Sequence, residues 1–192
     1  MILVFGSFVL GGVQVIKEFG LGLAAGIVVD AASGVSGAGR ALKHTSHFST
    51  VDEDFTAYGL VDHRHTPEIE QEVGAQVLFT PHLAPMNRGI LATCYAKPAA
   101  DVSTESLLAT LRAAYAGEPF VVVTPDSPST KATLGSNTAH VTARFDQRTG
   151  TVLAICAIDN LAKGASGGAV QAANVAMGLP ETAGLSSVGV YP

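Results

Sequence analysis

Only two cysteines, Cys94 and Cys156, occur among the 192 residues, and each sits inside an apolar run. Two thiols so placed make neither a disulfide framework nor a zinc ribbon, which fits a reducing, cytoplasmic setting. Charge is scarce too. Charged residues make up 14% of the sequence, the net charge is −5, and no basic run occurs, so nucleic acid is not an expected partner. The chain also lacks internal repeats and low-complexity tracts. Its length suits one full domain with a sizeable core, or one domain plus an appendage.

Mean hydropathy is +0.35, unusual for a soluble protein, and the excess lies at the N-terminus. Met1 to Val29 is Gly-rich and apolar apart from Gln14, Lys17 and Glu18. A signal peptide there would want a basic start and a small-residue cleavage site, and neither is present. The apolar run Met1 to Val15 is short for a bilayer, which needs roughly 20 residues, and Lys17-Glu18 would sit mid-membrane if it continued. A buried helix followed by a strand is the third reading, and pattern alone leaves the three open. Phe5 to Gly12 with Ile16 to Ala24 resembles a membrane segment of the bacterial RND/MMPL lipid exporters. The sequence therefore divides at residues 26 and 27, with membrane association of the first part not expected.

Ile27-Val28-Val29-Asp30 reads as a buried strand opening onto a Gly-rich turn, Ala31 to Arg40, whose backbone N–H groups can face an anion. The turn carries neither the Gly-Lys-Ser/Thr ending of a phosphate loop nor the G-x-G-x-x-G dinucleotide fingerprint. Strands are expected at Val77 to Thr80, Gly89 to Ala96 and Phe120 to Val123, with a loop between Pro81 and Pro85. Thr138 to Phe145 and Thr151 to Ile158 form a hairpin across Asp146-Gln147-Arg148-Thr149-Gly150. Helices are expected at Ser103 to Ala116, where Leu107, Leu108, Leu111 and Tyr115 recur at helical spacing, and near Ser166 to Met177. Strands and helices without strict alternation indicate an α+β fold with a mixed, largely antiparallel sheet and helices on one face.

Asp62-His63-Arg64-His65-Thr66-Pro67-Glu68 carries the chemistry. Extended backbone would point His63 and His65 the same way. Thr66 then reads as the N-cap of a helix running to Val73 and stopped by Gly74, with Pro67 at its first position. The positive helix end favours neutral imidazole at His65, an acid/base environment. Zinc is a rival use, with Glu68, Glu70 or His82 as third ligand, but the spacing lacks a further His/Cys cluster and no metal is assigned. Cys94 reads as core packing.

Taken together, Ser33 to Arg40, His63 to Ile69, Phe79 to Leu83, Pro85 to Thr93, Gly135-Ser136-Asn137, Asp159 to Ala165 and Val188 to Pro192 resemble N-acetyl-γ-glutamyl-phosphate reductase. The resemblance runs from about Ile27 to the C-terminus and covers roughly the second half of a normal member. It implies the C-terminal domain of semialdehyde-dehydrogenase-type enzymes, and a chemistry in which a thiolate attacks the acyl phosphate and NADPH delivers hydride, for arginine synthesis. Carried over by motif, His65 would be the acid/base, oriented by His63 and Glu68. Arg88 and Arg40, with Ser36, would bind N-acetyl-glutamyl phosphate, and Ser33, Gly34 and Asn160 would approach the nicotinamide of NADP(H). The family's nucleophile lies in a Gly-Cys-Tyr/Phe-x-Thr segment just before the strand matching Ile27 to Asp30, and no cysteine precedes Cys94 here. Residues 27–192 are therefore expected to be a catalytic and dimerisation domain, inactive alone, that forms homo-oligomers through its sheet. A non-catalytic assembly module and a metal-dependent hydrolase are the alternatives.

Overall fold

The computed structural model describes residues 26–190. Its strands are β1 (Ile27–Gly34), β2 (Thr56–Ala57), β3 (Val77–Ala84), β4 (Ile90–Ala96), β5 (Val121–Val123), β6 (Ala139–Asp146) and β7 (Thr151–Ile158). They form one seven-stranded sheet in the order β2-β3-β1-β4-β7-β6-β5. β1 pairs with β3, and β5 with β6, in parallel; the other neighbours are antiparallel. The mixed, largely antiparallel sheet expected from the pattern is the one observed.

One face of that sheet carries the core. Ile27, Val29 and Ala31 of β1, Val77 and Phe79 of β3, Ala92 and Cys94 of β4, and Val152 and Ala154 of β7 are all buried. Period-2 alternation along each strand puts these side chains on the same side. Helices α2 (Thr66–Val73) and α3 (Thr104–Ala114) cover them with Ile69, Val73, Leu107, Leu108 and Leu111. α3 starts where Ser103 accepts from the Ser106 N–H, while Ser106 Oγ accepts from the Ser103 N–H, so two otherwise orphaned donors are satisfied. Two further helices, a single turn α1 (Phe48–Val51) and α4 (Gly167–Ala176), lie outside that layer. Val175, Met177 and Leu179 at the end of α4 and just beyond it are exposed.

Among the described residues, no helix covers the opposite face. There Val28, Leu91, Thr93, Tyr95, Leu153 and Ile155 alternate with the core positions and remain half-buried. Register brings Thr93 beside Ile155 and Tyr95 beside Leu153.

Two local expectations are corrected. β1 runs on past Asp30 to Gly34, and β3 runs through Pro81 to Ala84. Each strand is held by the other, Ala31 pairing with Pro81 and Gly34 with Ala84. Pro81 is tolerated because β2 pairs only with His82 and Leu83, and its carbonyl still accepts from the Tyr58 N–H at 3.0 Å. The exporter-like stretch falls almost wholly outside the described residues. Among those described, no helix is long and apolar enough to cross a membrane.

Leu111 is fully buried between α3 and the sheet. Leu111→Ala should lower stability by about 2–5 kcal/mol, read as a drop in the urea midpoint, whereas Val175→Ala on the exposed surface should stay within about 0.5 kcal/mol.

Candidate functional site

The site is built at the end of β7, where the chain leaves the sheet through Asp159 and Asn160. Asp159 has no exposed side-chain surface. A carboxylate so buried must be matched by donors, and five meet it. Its Oδ1 accepts from the Leu161 N–H at 2.8 Å, the Ala162 N–H at 3.1 Å and Arg88 Nε at 3.2 Å. Its Oδ2 accepts from the Gly135 N–H at 2.7 Å and pairs with the Arg88 guanidinium at 2.8 Å. Burial alone would push this carboxyl up, but the N–H groups of Gly135, Ala162 and Leu161 and the guanidinium of Arg88 outweigh it and hold the group below its ordinary value.

Asn160 continues the junction. Its Oδ1 accepts from the Gly89 N–H at 2.7 Å, and its Nδ2 donates to Ser36 Oγ at 2.9 Å. The backbone N–H groups of Gly34, Val35 and Ser36 donate to the carbonyls of Gly89, Met86 and Asn87. Three amides of the turn are thereby spent on the β3–β4 loop and do not face an anion. Gly34 has to be glycine here, since a Cβ would come within 2.8 Å of the Asn87 carbonyl oxygen. Beyond Asn160, residues Ala162–Ser166 form a widened π-turn that leads straight into α4.

A cleft of about 520 Å³ opens beside this junction on the helix-covered side of the sheet. His63, His65 and Ser33 line it, together with Lys43, Tyr58 and Arg64. The two imidazoles meet edge to face with centroids 4.9 Å apart, and His63 also packs edge-on against Phe79 at 5.0 Å and Tyr58 at 5.6 Å. Turns, rather than the expected extended backbone, bring the rings together: His65 lies in the helical region with φ −88°. It is His65, not Thr66, that occupies the cap position of α2, because the first helical bond runs from the Ile69 N–H to the His65 carbonyl.

The His65 N–H donates to His63 Nδ1 at 3.2 Å. A neutral His63 therefore carries its proton on Nε2. Burial, then the charges of His65 and Arg64, lower His63 from its ordinary value, against smaller opposing effects of Asp62 and Glu68. Burial and Arg64 do the same to His65, opposed by Glu68. Both shifts favour the neutral ring.

Of the residues expected from the sequence, His63, His65 and Ser33 share the cleft, while Ser36, Gly34, Asn160 and Arg88 belong to the junction beside it. Glu68 acts on both rings from the first turn of α2. Arg40 is exposed and lies outside the cleft lining. Lys43 and Tyr58 escaped notice because no spacing relates them to the histidines; Asp159 stood in a recognised motif but received no role. The cysteines face the core: burial pushes the Cys94 thiol up and Cys156 up to about 12, so neither is poised as a nucleophile. Among the described residues no group of three or more His, Cys, Asp or Glu is placed to hold a metal ion.

A mixed sheet with helices on one face, and a cleft at its strand ends, define the class. Residues 9–160 match the family model described as semialdehyde dehydrogenase, dimerisation domain, and the chain belongs to that family. The match begins inside the stretch read as exporter-like, and the comparisons give that reading no support. N-acetyl-gamma-glutamyl-phosphate reductase of Pelotomaculum thermopropionicum is 51% identical over 174 residues, which is 86% of this chain and 50% of that protein. The protein of the same name from Symbiobacterium thermophilum is 52% identical over 177 residues, 87% of this chain and 51% of that one. The chain thus spans about half the length of the curated relatives it matches. Aspartate semialdehyde dehydrogenase II from Vibrio cholerae shares the fold, with a TM-score of 0.67 at 17% identity over 88% of this chain and 59% of that one.

Asp159→Asn should cost about 2–4 kcal/mol, a little under the range for a fully buried pair because Arg88 is 32% exposed. Since the folded carboxyl is held low, its contribution is present above the unfolded value of about 3.9 and fades as pH falls through the folded one. Denaturation followed from neutral to acid pH should show the difference between wild type and variant shrinking below about pH 4.

Proposed function

We propose that this chain supplies the proton-handling and subunit-contact half of an N-acetyl-γ-glutamyl-phosphate reductase, which reduces that acyl phosphate to the semialdehyde. The paired imidazoles in the cleft carry the reading, supported by relatives of that name at about half identity. His63 presents an Nε2 proton, and His65 stands edge-on beside it. A ring that is neutral at working pH can take a proton or give one at a substrate oxygen, an effect typically worth about 10²–10⁴ in rate. Lys43 and Arg64 in the cleft wall offer cations to a phosphate or carboxylate.

NADPH, when bound, would supply the hydride. The residues here fit one edge of its site: Ser33 Oγ and Asn160 Nδ2 lie 3.0 and 3.7 Å from where a Cβ of Gly37 would stand, so the missing side chain leaves a small cradle. Asn160 holds Ser36 and Gly89 and can approach a ligand only with its remaining amide hydrogen. No residue of this sequence supplies the thiolate, because both cysteines are buried in the core.

The chain by itself should not oxidise NADPH in the presence of N-acetyl-γ-glutamyl phosphate, followed by the loss of NADPH absorbance. A chimera in which residues 27–192 replace the matching segment of the Pelotomaculum relative should turn over, and His63→Ala within it should lose about 10²–10⁴ in kcat. A folded, inactive chimera would refute the assignment, as would turnover by the unfused chain.

Self-association is a second reading, favoured by the face of the sheet that no described helix covers. Leu91, Tyr95, Leu153 and Ile155 are half-buried there, and an apolar row of that kind calls for a partner surface. A two-fold pairing of this face with its copy would cover it. Sedimentation should give a dimer at micromolar concentration, and Ile155→Asp should give a monomer of unchanged fold.

A further inference from the structure

The turn from Gly59 to Asp62 runs beside the cleft and holds two residues in the left-handed region that its own packing does not explain. Gly59 has φ +56° and Val61 has φ +61°. A β-branched residue in that left-handed region is a genuine outlier, and Val61 is 89% exposed, so burial does not hold it there. Strain of this sort persists where the surroundings over-determine the chain, and such places are often functional. The surroundings here all converge on His63.

On the entering side, the Tyr58 N–H is anchored to the Pro81 carbonyl at 3.0 Å. On the leaving side, the His63 carbonyl accepts from the Thr66 N–H at 3.0 Å, and His63 Nδ1 accepts from the His65 N–H. Four residues must cross the gap, and the imidazole lies against the chain as it passes. A Cβ on Gly59 would come within 2.9 Å of His63 Cδ2. Phe79 and Tyr58 meet the same ring edge-on.

We infer that Gly59 and Val61 are positioning residues: their left-handed turn closes on the His63 ring and fixes the one orientation in which Nδ1 faces the His65 amide and the proton sits on Nε2. The functional meaning of that orientation rests on the proton-handling role proposed for His63, but the orientation itself does not. Asp62, Arg64, His65 and Glu68 are the charged or titratable groups that act on the ring, and Tyr58 packs on it.

NMR of the full chain, without substrate, tests the clamp. The unaltered chain should give a strong NOE between a Gly59 Hα and His63 Hδ2. Gly59→Ala should displace the ring, break its bond to the His65 amide, and raise the His63 titration midpoint toward the ordinary value of about 6.5. Val61→Pro, which excludes positive φ without adding an atom near the ring, should raise it likewise. Val61→Gly, which accepts positive φ, should leave the midpoint at the wild-type position. Absence of the NOE in the unaltered chain overturns the inference whether or not any variant folds, and so does a folded Gly59→Ala or Val61→Pro chain in which His63 titrates as in wild type. An inactive chimera with the NOE and the titration shifts intact would count against the reductase role and leave the clamp standing.

Discussion

A single buried carboxylate holds the functional end of this domain together. Asp159 sits at the end of a central strand with no solvent to share its charge, and donors from Arg88, Gly135, Leu161 and Ala162 surround it. These donors come from segments far apart in sequence. A buried anion tolerates few missing partners, so matching it also fixes where the β3–β4 loop, the loop before β6 and the start of the final helix must lie. The two N–H groups that follow it, at Leu161 and Ala162, are drawn back toward the carboxylate. The chain then leaves in bonds of i to i+5 spacing, from the Gly164 N–H to the Asp159 carbonyl and from the Ser166 N–H to the Leu161 carbonyl. Widened turns of this type recur at functional sites.

The two faces of the sheet differ in what covers them. The side covered by α2 and α3 is sealed by Ile69, Leu107 and Leu111, and the histidine cleft opens where that covering stops, beyond Ser33 and Leu83. Partial burial of the two rings at that edge lowers both histidines. The other side keeps an apolar row that no described helix reaches. Membership in a dimerisation-domain family gives that row a natural meaning.

The cleft holds imidazoles, hydroxyls and cations, but both thiols are sealed in the core and the sequence carries no dinucleotide fingerprint. Such a division is expected of a chain that spans about half of its relatives. Asn160, bonded to Ser36 and to the Gly89 amide, ties the β1 turn to the β3–β4 loop beside that cleft.

Local pattern determined most of the elements. A continuous apolar run placed β4, alternation and a turn signal placed the β6–β7 hairpin, the Ser103 cap and leucine spacing placed α3, and Gly74 with φ +72° ended α2. Each of these signals is carried by residues within a turn or two of one another, which is why it can be read along the chain. The histidine pair was legible as a motif for the same reason, although its geometry was not: a turn with two left-handed residues, rather than an extended strand, brings the rings together. Pro81 looked like a strand breaker until a parallel neighbour and a short edge strand left its missing N–H without consequence. Tyr58, Lys43 and the five donors around Asp159 were beyond reach of the sequence. Their association depends on which segments the sheet order brings side by side, and only the closing of that sheet, with long-range burial deciding the order, sets those distances.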